Sequence, residues 1–477
     1  MKIAMVASEI NPLVKSGGLA DVVYSLSKEL VIEGEEVIDI LPFYNKIWSF
    51  PKLKVKRLGS FDVYMSWRKQ SAEVYRTYID GITYYLIGND YYFNRDAIYG
   101  FNDDGERFAF FALAAKKLLK FVNFEPDVVH VHDWQAAMLP VLIKEQEKND
   151  PFYNHIKCVL TIHNPAFKGM IDRYFLNNFY GLSDELYDNG SVRFENMVST
   201  LKAGIIYADK ITTVSPNHAK ELLTPEGSQG LSGVLSYRKD DFEGILNGID
   251  TAEFNPASDS FIPKNYTIKS VSSGKAAARF ALLKATNLTD NGGPLYGFVS
   301  RLTFQKGVDL ILHDARYLLD RGALMEFLGS GEYQLEQALE QLRAEYPCQV
   351  GIYIGYNNER AHQIYAASDF FLMPSLFEPC GIGQMIAQRY GSLPIVRYTG
   401  GLRDTVIGFN GDNSKTATGL GFETYDDGGL LYACSLAQKL FDNKDYLRDV
   451  VANAMALDHS WVKASQEYLK VYQSLLK

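Results

Sequence analysis

Short, continuous apolar runs recur along the chain, and each is followed by a turn and by apolar residues at helical spacing. Runs without alternating polar positions favour strands of a parallel sheet that helices cover on both faces. In the first part of the chain the predicted strands are residues 3–7, 37–41, 128–131, 158–162 and 211–214. In the second part they are residues 295–299, 324–328, 351–354, 370–373 and 393–396. The pattern predicts an α/β protein with two doubly wound halves.

The two series of strands are separated by a polar, glycine-rich stretch at residues 226–233 and by a second turn-rich segment at 244–250. Such residues suit turns and domain boundaries, and a length of 477 residues favours two cores over one. We therefore expect Rossmann-like domains at residues 1–243 and 244–457, with a cleft between them. The last segment, 458–477, carries apolar residues on one helical face and must pack against one of the domains.

Composition excludes several classes of protein. The chain is 47% hydrophobic and 22% charged, which is typical of a globular protein and not of a disordered one. A formal charge of −9 without a basic run argues against nucleic acid or an anionic membrane as partner. We find no signal-peptide pattern and no apolar run long enough to span a bilayer. Four scattered cysteines without CxxC spacing suit a reducing compartment, so we expect a soluble protein of the cytoplasm.

The first candidate site lies where the first predicted strand passes into a helix. Lys15, Ser16, Gly17 and Gly18 occupy this connection. Glycine lets the backbone approach a ligand, and the N–H groups of the first helical turn favour an anion. The motif predicts a phosphate site, although an ordinary strand-to-helix turn also uses glycine and serine.

Two further cations follow the predicted strand at 295–299. Arg301 offers a guanidinium fork and Lys306 an ammonium group, at the strand end where parallel sheets bind ligands. Together with Lys15 they could neutralise a diphosphate. Taken alone, two such cations more often belong to a solvated loop, and their occurrence together with the other motifs is what favours a ligand site.

A carboxylate and a glycine-rich backbone follow the predicted strand at 370–373. Glu378 is followed by Cys380, Gly381 and Gly383 at the start of a helical pattern. A carboxylate accepts hydrogen bonds from sugar hydroxyls, and helix-start N–H groups favour phosphate. The alternative is that Glu378 is only an acidic residue at a helix N-terminus.

Histidines follow two other predicted strands. His163 and Asn164 end the strand at 158–162, where a lone histidine is either structural or catalytic. His130 and His132 lie on one face of their strand, but no further ligands with metal spacing accompany them. We therefore predict structural or acceptor-binding roles for this pair and no metal site.

Several common enzyme classes lack their motifs here. The segment Gly329-Ser330-Gly331 has Gln334 where the dinucleotide fingerprint needs its third glycine. The motifs GxxxxGK[ST] and GxSxG do not occur. Hydride transfer, P-loop chemistry and α/β-hydrolase chemistry are therefore disfavoured.

The motifs also follow one another in a characteristic order: residues 15–21, 132–134, 163–164, 247–250, 301–307, 377–381 and 399–402. In this combination, over nearly its whole length, the chain resembles bacterial glycogen synthases. These are retaining glucosyltransferases of the GT-B fold, related to plant starch synthases. The resemblance implies transfer of glucose from ADP-glucose to the non-reducing 4-hydroxyl of an α-1,4-glucan such as glycogen, without a metal ion or cofactor. It also implies that the C-terminal helix crosses back to the N-terminal domain.

The resemblance further implies roles for individual residues. The diphosphate would be bound by Lys15, Arg301 and Lys306, and the transferred glucose by His163, Asn247 and Glu378. Other donor-side residues would be Gly17, Gly18, Asp21, Tyr356, Cys380, Gly381 and Gly383, with Tyr356 against the nucleobase. The acceptor side would be Glu9, Asp133, Trp134 and Asn164.

Two positions depart from the family pattern. Gly383 stands where Thr or Ser is common, which removes a hydroxyl contact to phosphate, and Phe93 stands where Tyr is common near the acceptor. Short motifs hardly encode the choice of base, so UDP-glucose or a small-sugar acceptor is an alternative. Because a fold does not prove activity, a non-catalytic protein that binds glucan or sugar nucleotide is a third possibility.

Overall fold

The computed structural model describes residues 1–50 and 53–476. The chain divides into two compact units. The first comprises Met1–Asn247 together with the C-terminal segment that begins at Trp461, and the second comprises Gly248–Ser460. The division falls after Asn247 rather than after residue 243, and the final segment joins the first unit at Trp461 rather than at residue 458.

The strands are β1 (Lys2–Val6), β2 (Glu36–Pro42), β3 (Lys56–Met65), β4 (Arg68–Ile79), β5 (Ile82–Gly88), β6 (Val128–His132), β7 (Lys157–Ile162), β8 (Met170–Ile171), β9 (Arg193–Phe194), β10 (Met197–Ser199), β11 (Lys210–Thr213), β12 (Phe242–Gly244), β13 (Leu295–Val299), β14 (Leu324–Gly329), β15 (Val350–Ile354), β16 (Phe370–Met373), β17 (Leu393–Arg397) and β18 (Leu420–Phe422).

The α-helices are α1 (Gly18–Ile32), α2 (Asn45–Trp48), α3 (Asp90–Phe93), α4 (Asp104–Phe121), α5 (Asp133–Ala136), α6 (Met138–Gln146), α7 (Glu185–Asp188), α8 (Thr200–Tyr207), α9 (Pro216–Leu222), α10 (Ser232–Tyr237), α11 (Val271–Thr286), α12 (Val308–Leu319), α13 (Tyr333–Glu345), α14 (Asn358–Ala367), α15 (Gly383–Arg389), α16 (Gly400–Thr405), α17 (Asp427–Asp442), α18 (Lys444–Met455) and α19 (Trp461–Leu475). Short 3₁₀ turns lie at Lys239–Asp241, Ile268–Ser270 and Phe304–Lys306, and a π-turn lies at Leu176–Tyr180.

The large sheet of the first unit has the order β12-β11-β7-β6-β1-β2-β5-β4-β3. From β12 to β5 neighbouring strands are parallel, and β4 and β3 add an antiparallel edge. Every residue of β6 is buried, as its apolar run predicts for a strand covered on both faces. The predicted strands of this half are confirmed to within one residue at each end. A small second sheet, β8-β10-β9, lies in the same unit.

The sheet of the second unit has the order β15-β14-β13-β16-β17-β18 and is parallel throughout. Strands β13 and β16 have the predicted bounds. They are neighbours although two strands and three helices lie between them in sequence. The loops that follow β13 and β16 therefore begin side by side at the carboxyl edge of this sheet, where open α/β sheets bind ligands.

Helix α19 belongs to the first unit. Its residues Trp461, Ala464, Tyr468 and Tyr472 are buried in that unit's core, and the helix packs against α1. The Tyr472 hydroxyl lies 2.7 Å from Nδ1 of His130. No helix in the described part of the chain combines the length and the apolar character that crossing a bilayer requires.

Candidate active site

In each unit, the predicted site residues lie in loops that follow neighbouring parallel strands. In the first unit these loops follow β1, β6 and β7, which are adjacent in the sheet. In the second unit they follow β13, β16 and β17, which are adjacent in the other sheet. Parallel strands end at the same edge, so each unit gathers polar groups from distant sequence positions.

The loop between β1 and α1 presents Lys15 at the surface. Its Nζ lies 2.7 Å from Oδ2 of Asp21, in an ion pair whose side chains are 51% and 28% exposed. Gly17 is extended and precedes the first turn of α1, and a Cβ added at Gly18 would meet nothing within 4 Å. Space, unpaired helix-start N–H groups and an exposed ammonium group suit an incoming anion.

Glu9 contacts the loop between β1 and α1 from the protein interior. Its side chain is buried and accepts a hydrogen bond from the backbone N–H of Ser16. Burial raises the pKa of Glu9, and the hydrogen bonds from Ser16 and Gly17 partly oppose that rise. A Cβ on Gly17 would lie 4.0 Å from the Glu9 carboxylate. Glu9 thus holds the backbone of the glycine motif from within.

Asp133 links the loops after β6 and β7. Its backbone is left-handed, with φ of 54°, and its Oδ1 accepts hydrogen bonds from the N–H of His163 at 2.7 Å and of Asn164 at 3.4 Å. Burial raises the pKa of Asp133 to about 7. The next residue, Trp134, is half-buried and packs edge-on against Phe108 at 5.1 Å. Asp133 thereby fixes the backbone that carries His163.

Three imidazoles form a row in the same region. The rings of His130 and His132 have centroids 4.2 Å apart, as expected for one face of a strand, and Nδ1 of His132 lies 3.1 Å from Nε2 of His163. Burial lowers the pKa of His130 and His163 to about 3 and that of His132 well below its usual value. The three rings are therefore neutral. Among the described residues no group of three or more ligating side chains could hold a metal ion.

The second unit brings a carboxylate and an ammonium group together. Nζ of Lys306, after β13, donates to Oε2 of Glu378, after β16, at 2.5 Å. Their side chains are only 14% and 10% exposed, and the Ser375 hydroxyl donates to the same oxygen at 3.1 Å. Arg301 is exposed, and its Nη2 donates to Gln305 at 3.2 Å. The edge of this sheet therefore carries fixed charges.

Two glycines allow these loops to approach each other. Gly307 has φ of 74°, and a Cβ there would lie 2.2 Å from the carbonyl oxygen of Pro374. Gly400, after β17, has φ of 44°, and its Cβ would lie 1.9 Å from the carbonyl oxygen of Glu378. Any other residue would push the Glu378 loop away. The glycines thus fix the position of the Lys306–Glu378 pair.

Three other residues that the sequence predicts for the donor side, Cys380, Gly381 and Gly383, lie between β16 and the start of α15. Gly381 has φ of 73°, and Cys380 before it is buried. Gly383 begins α15, and a Cβ there would lie 3.3 Å from the sulfur of Met373 and from the Phe371 ring. A larger side chain at Gly383 therefore requires a small shift of its neighbours.

Other predicted residues have less defined surroundings. Tyr356, after β15, is 85% exposed and its hydroxyl donates to Asn358 at 3.3 Å. Asn247 ends the first unit and is buried, and its Oδ1 has no hydrogen-bond partner among the described residues. The Oδ1 of Asn164 accepts from the N–H of Ala166 at 3.0 Å. Phe93 is wholly buried, 5.7 Å from the Tyr44 ring, so it lies in the core.

Sequence analysis missed a bracket formed by Arg397 and Tyr425. Arg397, the last residue of β17, donates to the carbonyl of Leu376, and its guanidinium lies 5.8 Å from the Tyr425 ring centroid. The Tyr425 hydroxyl lies 2.8 Å from Oδ1 of Asp309 and 3.0 Å from the carbonyl oxygen of Phe304. The bracket connects the loops that carry Lys306 and Glu378. The position of Arg397 at a strand end was the signal that could have revealed it.

Both halves of the chain match models of known protein families. Residues 2–237 match the model of the starch synthase catalytic domain, and residues 281–430 match that of glycosyl transferases group 1. The glycogen synthase of Clostridium beijerinckii is 43% identical, over 100% of this chain and 99% of the relative. That of Clostridium perfringens is 42% identical, with the same coverage.

Solved structures agree. The catalytic domain of starch synthase IV from Arabidopsis thaliana, bound to ADP and acarbose, superposes with a TM-score of 0.91 at 32% identity, over 99% of both chains. Sucrose-phosphate synthase from Thermosynechococcus elongatus shares the fold, with a TM-score of 0.64 at 17% identity over 100% of this chain and 99% of that one. With this identity over its whole length, the chain belongs to the glycogen and starch synthase family and is a glycosyltransferase with the two-domain GT-B fold.

Proposed function

We propose that the protein transfers glucose from ADP-glucose to the non-reducing 4-hydroxyl of an α-1,4-glucan, with retention of the anomeric configuration. The observation that carries the proposal is the Lys306–Glu378 pair, 2.5 Å apart and nearly buried, in a chain 43% identical to a glycogen synthase. The structural neighbour that was solved with ADP and acarbose supports the donor and the class of acceptor.

The diphosphate is bound by Lys15, Arg301 and Lys306 in this proposal. Lys15 and Arg301 are exposed and have one polar partner each, Asp21 and Gln305, which they can exchange for phosphate oxygens. Lys306 is held in place by Glu378. Preorganised cations stabilise the negative charge that builds on the leaving group, which is the task that a metal ion performs in other transferases.

The transferred glucose is bound by neutral and acidic acceptors of hydroxyl hydrogen bonds. Glu378 has a second carboxylate oxygen besides the one that Lys306 and Ser375 contact. The unpartnered Oδ1 of Asn247 and the ring of His163 supply further polar atoms. Asp21 and the backbone of Gly17, Gly18, Cys380, Gly381 and Gly383 complete the donor side, and the exposed ring of Tyr356 stacks on the nucleobase.

The acceptor glucan is bound by Glu9, Asp133, Trp134 and Asn164. The half-buried Trp134 offers an indole next to the buried Asp133 carboxyl, which combines an apolar surface with a polar group. This combination suits a sugar ring, which has apolar faces and hydroxyl groups at its edge.

Retention follows from a same-face route. The bond between C1 of glucose and the phosphate oxygen breaks, and the acceptor O4 forms its bond to C1 on the same face. The acceptor proton passes to the leaving phosphate oxygen. An oxocarbenium-like centre between the two events is stabilised by nearby negative charge, while the cations stabilise the phosphate.

Incorporation of label tests the proposal. The protein is incubated with radiolabelled ADP-glucose or UDP-glucose and glycogen, and the label in precipitated polymer is counted. We expect label from ADP-glucose to enter the polymer, and we expect an α-1,4-glucan hydrolase to release that label again. Label from UDP-glucose alone would overturn the donor assignment. Tight glycogen binding with no label from either donor would identify a binding protein instead of an enzyme.

Three expectations from the sequence stay predictions. They are the cytoplasmic location, which rests on the scattered cysteines, and the absence of nucleic-acid and membrane partners, which rests on the charge of −9. The assay above does not depend on them.

A further inference from the structure

A hydrogen bond between two buried imidazoles lies at the ends of β6 and β7. Nδ1 of His132 is 3.1 Å from Nε2 of His163. His132 is wholly buried, and its Nε2 has no hydrogen-bond partner among the described residues. His163 is half-buried, and the hydrogen bond that the described residues give its ring is the one at Nε2. Nδ1 of His132 and Nε2 of His163 therefore share one hydrogen bond, and the other nitrogen of each ring takes no part in it.

Both rings carry a single N–H. Burial lowers the pKa of His163 to about 3 and that of His132 well below its usual value, so neither is protonated to the cation at neutral pH. A neutral imidazole has one donor nitrogen and one acceptor nitrogen. The shared bond therefore exists in one of two forms, with either His132 or His163 as the donor.

The two forms leave different groups without a partner. If His163 donates from Nε2, the proton of His132 lies on its buried Nε2, which faces no acceptor. If His132 donates from Nδ1, its buried Nε2 carries only an unused lone pair. Buried N–H groups without an acceptor are rarer in proteins than acceptors with an unused lone pair. The surroundings of His132 thus favour His132 as the donor.

We propose that His132 is a positioning residue that donates its Nδ1–H to Nε2 of His163 and so holds His163 in the Nδ1–H form, which donates a hydrogen bond to an oxygen of the bound sugar. The second half of this inference rests on the proposed function, because the sugar is assigned there. The first half concerns the protein alone.

The His130 ring packs against the His132 ring but takes no part in the hydrogen bond between His132 and His163. The two rings are 4.2 Å apart, with an interplanar angle of 34°. Nδ1 of His130 lies 2.7 Å from the Tyr472 hydroxyl, and its Nε2 lies 2.6 Å from the Thr161 hydroxyl. Hydroxyl groups can donate or accept, so these contacts fix the His130 ring without dictating the proton on His132.

Nitrogen NMR of the full chain, labelled with ¹⁵N-histidine, reads the tautomer directly. Signals of His163 are assigned by their loss in His163→Asn. We expect a protonated Nδ1 and an unprotonated Nε2 for His163, in protein without added sugar nucleotide. A protonated Nε2, or a mixture of the two tautomers, would overturn the proposal.

Substitutions at His132 test the consequence for activity. His132→Asn places an amide N–H near the position of Nδ1 and keeps the donor, whereas His132→Leu removes it at similar volume. We expect His132→Leu to mix the His163 tautomers and to lower kcat/KM for the sugar nucleotide about 10- to 100-fold, the range found when the hydrogen-bond partner of a metal-ligating histidine is removed. His132→Asn should recover most of that loss.

The matched control is His130→Asn, on the same strand and equally buried. It removes the contacts to Tyr472 and Thr161, so we expect a lower melting temperature but an unchanged His163 tautomer. Full activity of a folded His132→Leu would refute the positioning role. If that variant fails to fold, the NMR of the unmodified protein still decides the tautomer. Because that experiment uses no donor, a failed incorporation assay would refute the proposed function without affecting the tautomer result.

Discussion

Both units present polar groups at the carboxyl edge of parallel strands, but the buried groups after β6 and β7 are neutral whereas those after β13 and β16 form an ion pair. In the first unit, burial keeps His130, His132 and His163 neutral and raises the pKa of Asp133 to about 7. In the second unit, Lys306 and Glu378 form a nearly buried ion pair. The edge of a parallel sheet is therefore a scaffold, and the partners of each side chain decide its charge.

The physical cause of the difference is pairing. A buried ionisable group without an opposite charge avoids the cost of desolvation by becoming neutral, whereas a paired group keeps its charge. Neutral donors and acceptors suit sugar hydroxyls, and fixed cations suit a diphosphate. In the proposed function, His163 and Glu378 contact the transferred glucose, and Lys306 and Arg301 act with Lys15 on the leaving group.

Among these substitutions, loss of Lys306 should reduce activity most strongly. We expect Lys306→Ala to lower kcat/KM for ADP-glucose about 10²- to 10³-fold, as loss of a preorganised donor to developing charge does. Steady-state kinetics measure this, and circular dichroism checks that the fold is kept. Lys415→Ala is the control, since Lys415 is 82% exposed in the same unit and its ion pair is with Asp449, far along the chain from Lys306. Near-normal turnover of Lys306→Ala would contradict its role.

The Asp133 carboxyl should make stability depend on pH. Its pKa is raised by burial from 3.8 to about 7, so between these values the folded protein keeps a proton that the unfolded chain releases. The free energy of unfolding therefore falls as pH rises through this window, by up to about 1.4 kcal/mol per pH unit, and is flat above it.

Asp133→Asn lacks this proton, so its stability relative to the unmodified protein should rise between pH 4 and 7. Urea unfolding of both proteins at several pH values measures the difference in their free energies of unfolding. The contributions of the other buried carboxyls are the same in both proteins and cancel. A difference that does not change with pH would show that Asp133 is ionised in the folded protein.

The bracket of the second unit should have a smaller effect. Tyr425→Phe keeps the ring beside Arg397 but removes the hydroxyl near Asp309 and Phe304. A typical hydrogen bond contributes about 1 kcal/mol, so we expect kcat/KM for ADP-glucose to fall about 5-fold. An unchanged value, measured by the same kinetics, would mean that the bracket does not hold the two loops.

The exposed Lys15–Asp21 pair should contribute least to stability. We expect Lys15→Ala to change the free energy of unfolding by less than about 1 kcal/mol, because solvent screens such pairs. Its KM for ADP-glucose should nevertheless rise. A large loss of stability, measured by urea unfolding, would show that Lys15 supports the fold instead of the ligand.

The sequence predicts the central strands well because continuous apolar runs are their direct signature. Strands β13 and β16 have the expected bounds. The antiparallel edge strands β3 and β4 were missed because they are only partly buried and carry mixed polar and apolar positions. The apolar-run pattern detects strands covered on both faces and is blind to such an edge.

Individual site residues were predictable, but their partners were not. Strand ends drew attention to Lys306, Glu378 and His163. The pairs Lys306–Glu378 and His132–His163 arise only because β13 adjoins β16 and β6 adjoins β7. Strand order is set by the packing of the whole domain, and local motifs do not encode it.

In the proposed function Lys15 and Lys306 act on the same leaving group, and a double-mutant cycle is the decisive measurement for this proposal. We measure kcat/KM for ADP-glucose with Lys15→Ala, Lys306→Ala and the double variant. Substitutions at independent sites add to within about 0.5 kcal/mol. If the two lysines act on the same phosphate, the loss of transition-state stabilisation in the double variant differs from the sum of the two single losses by more than about 0.5 kcal/mol. Additive losses would show that the two lysines act independently.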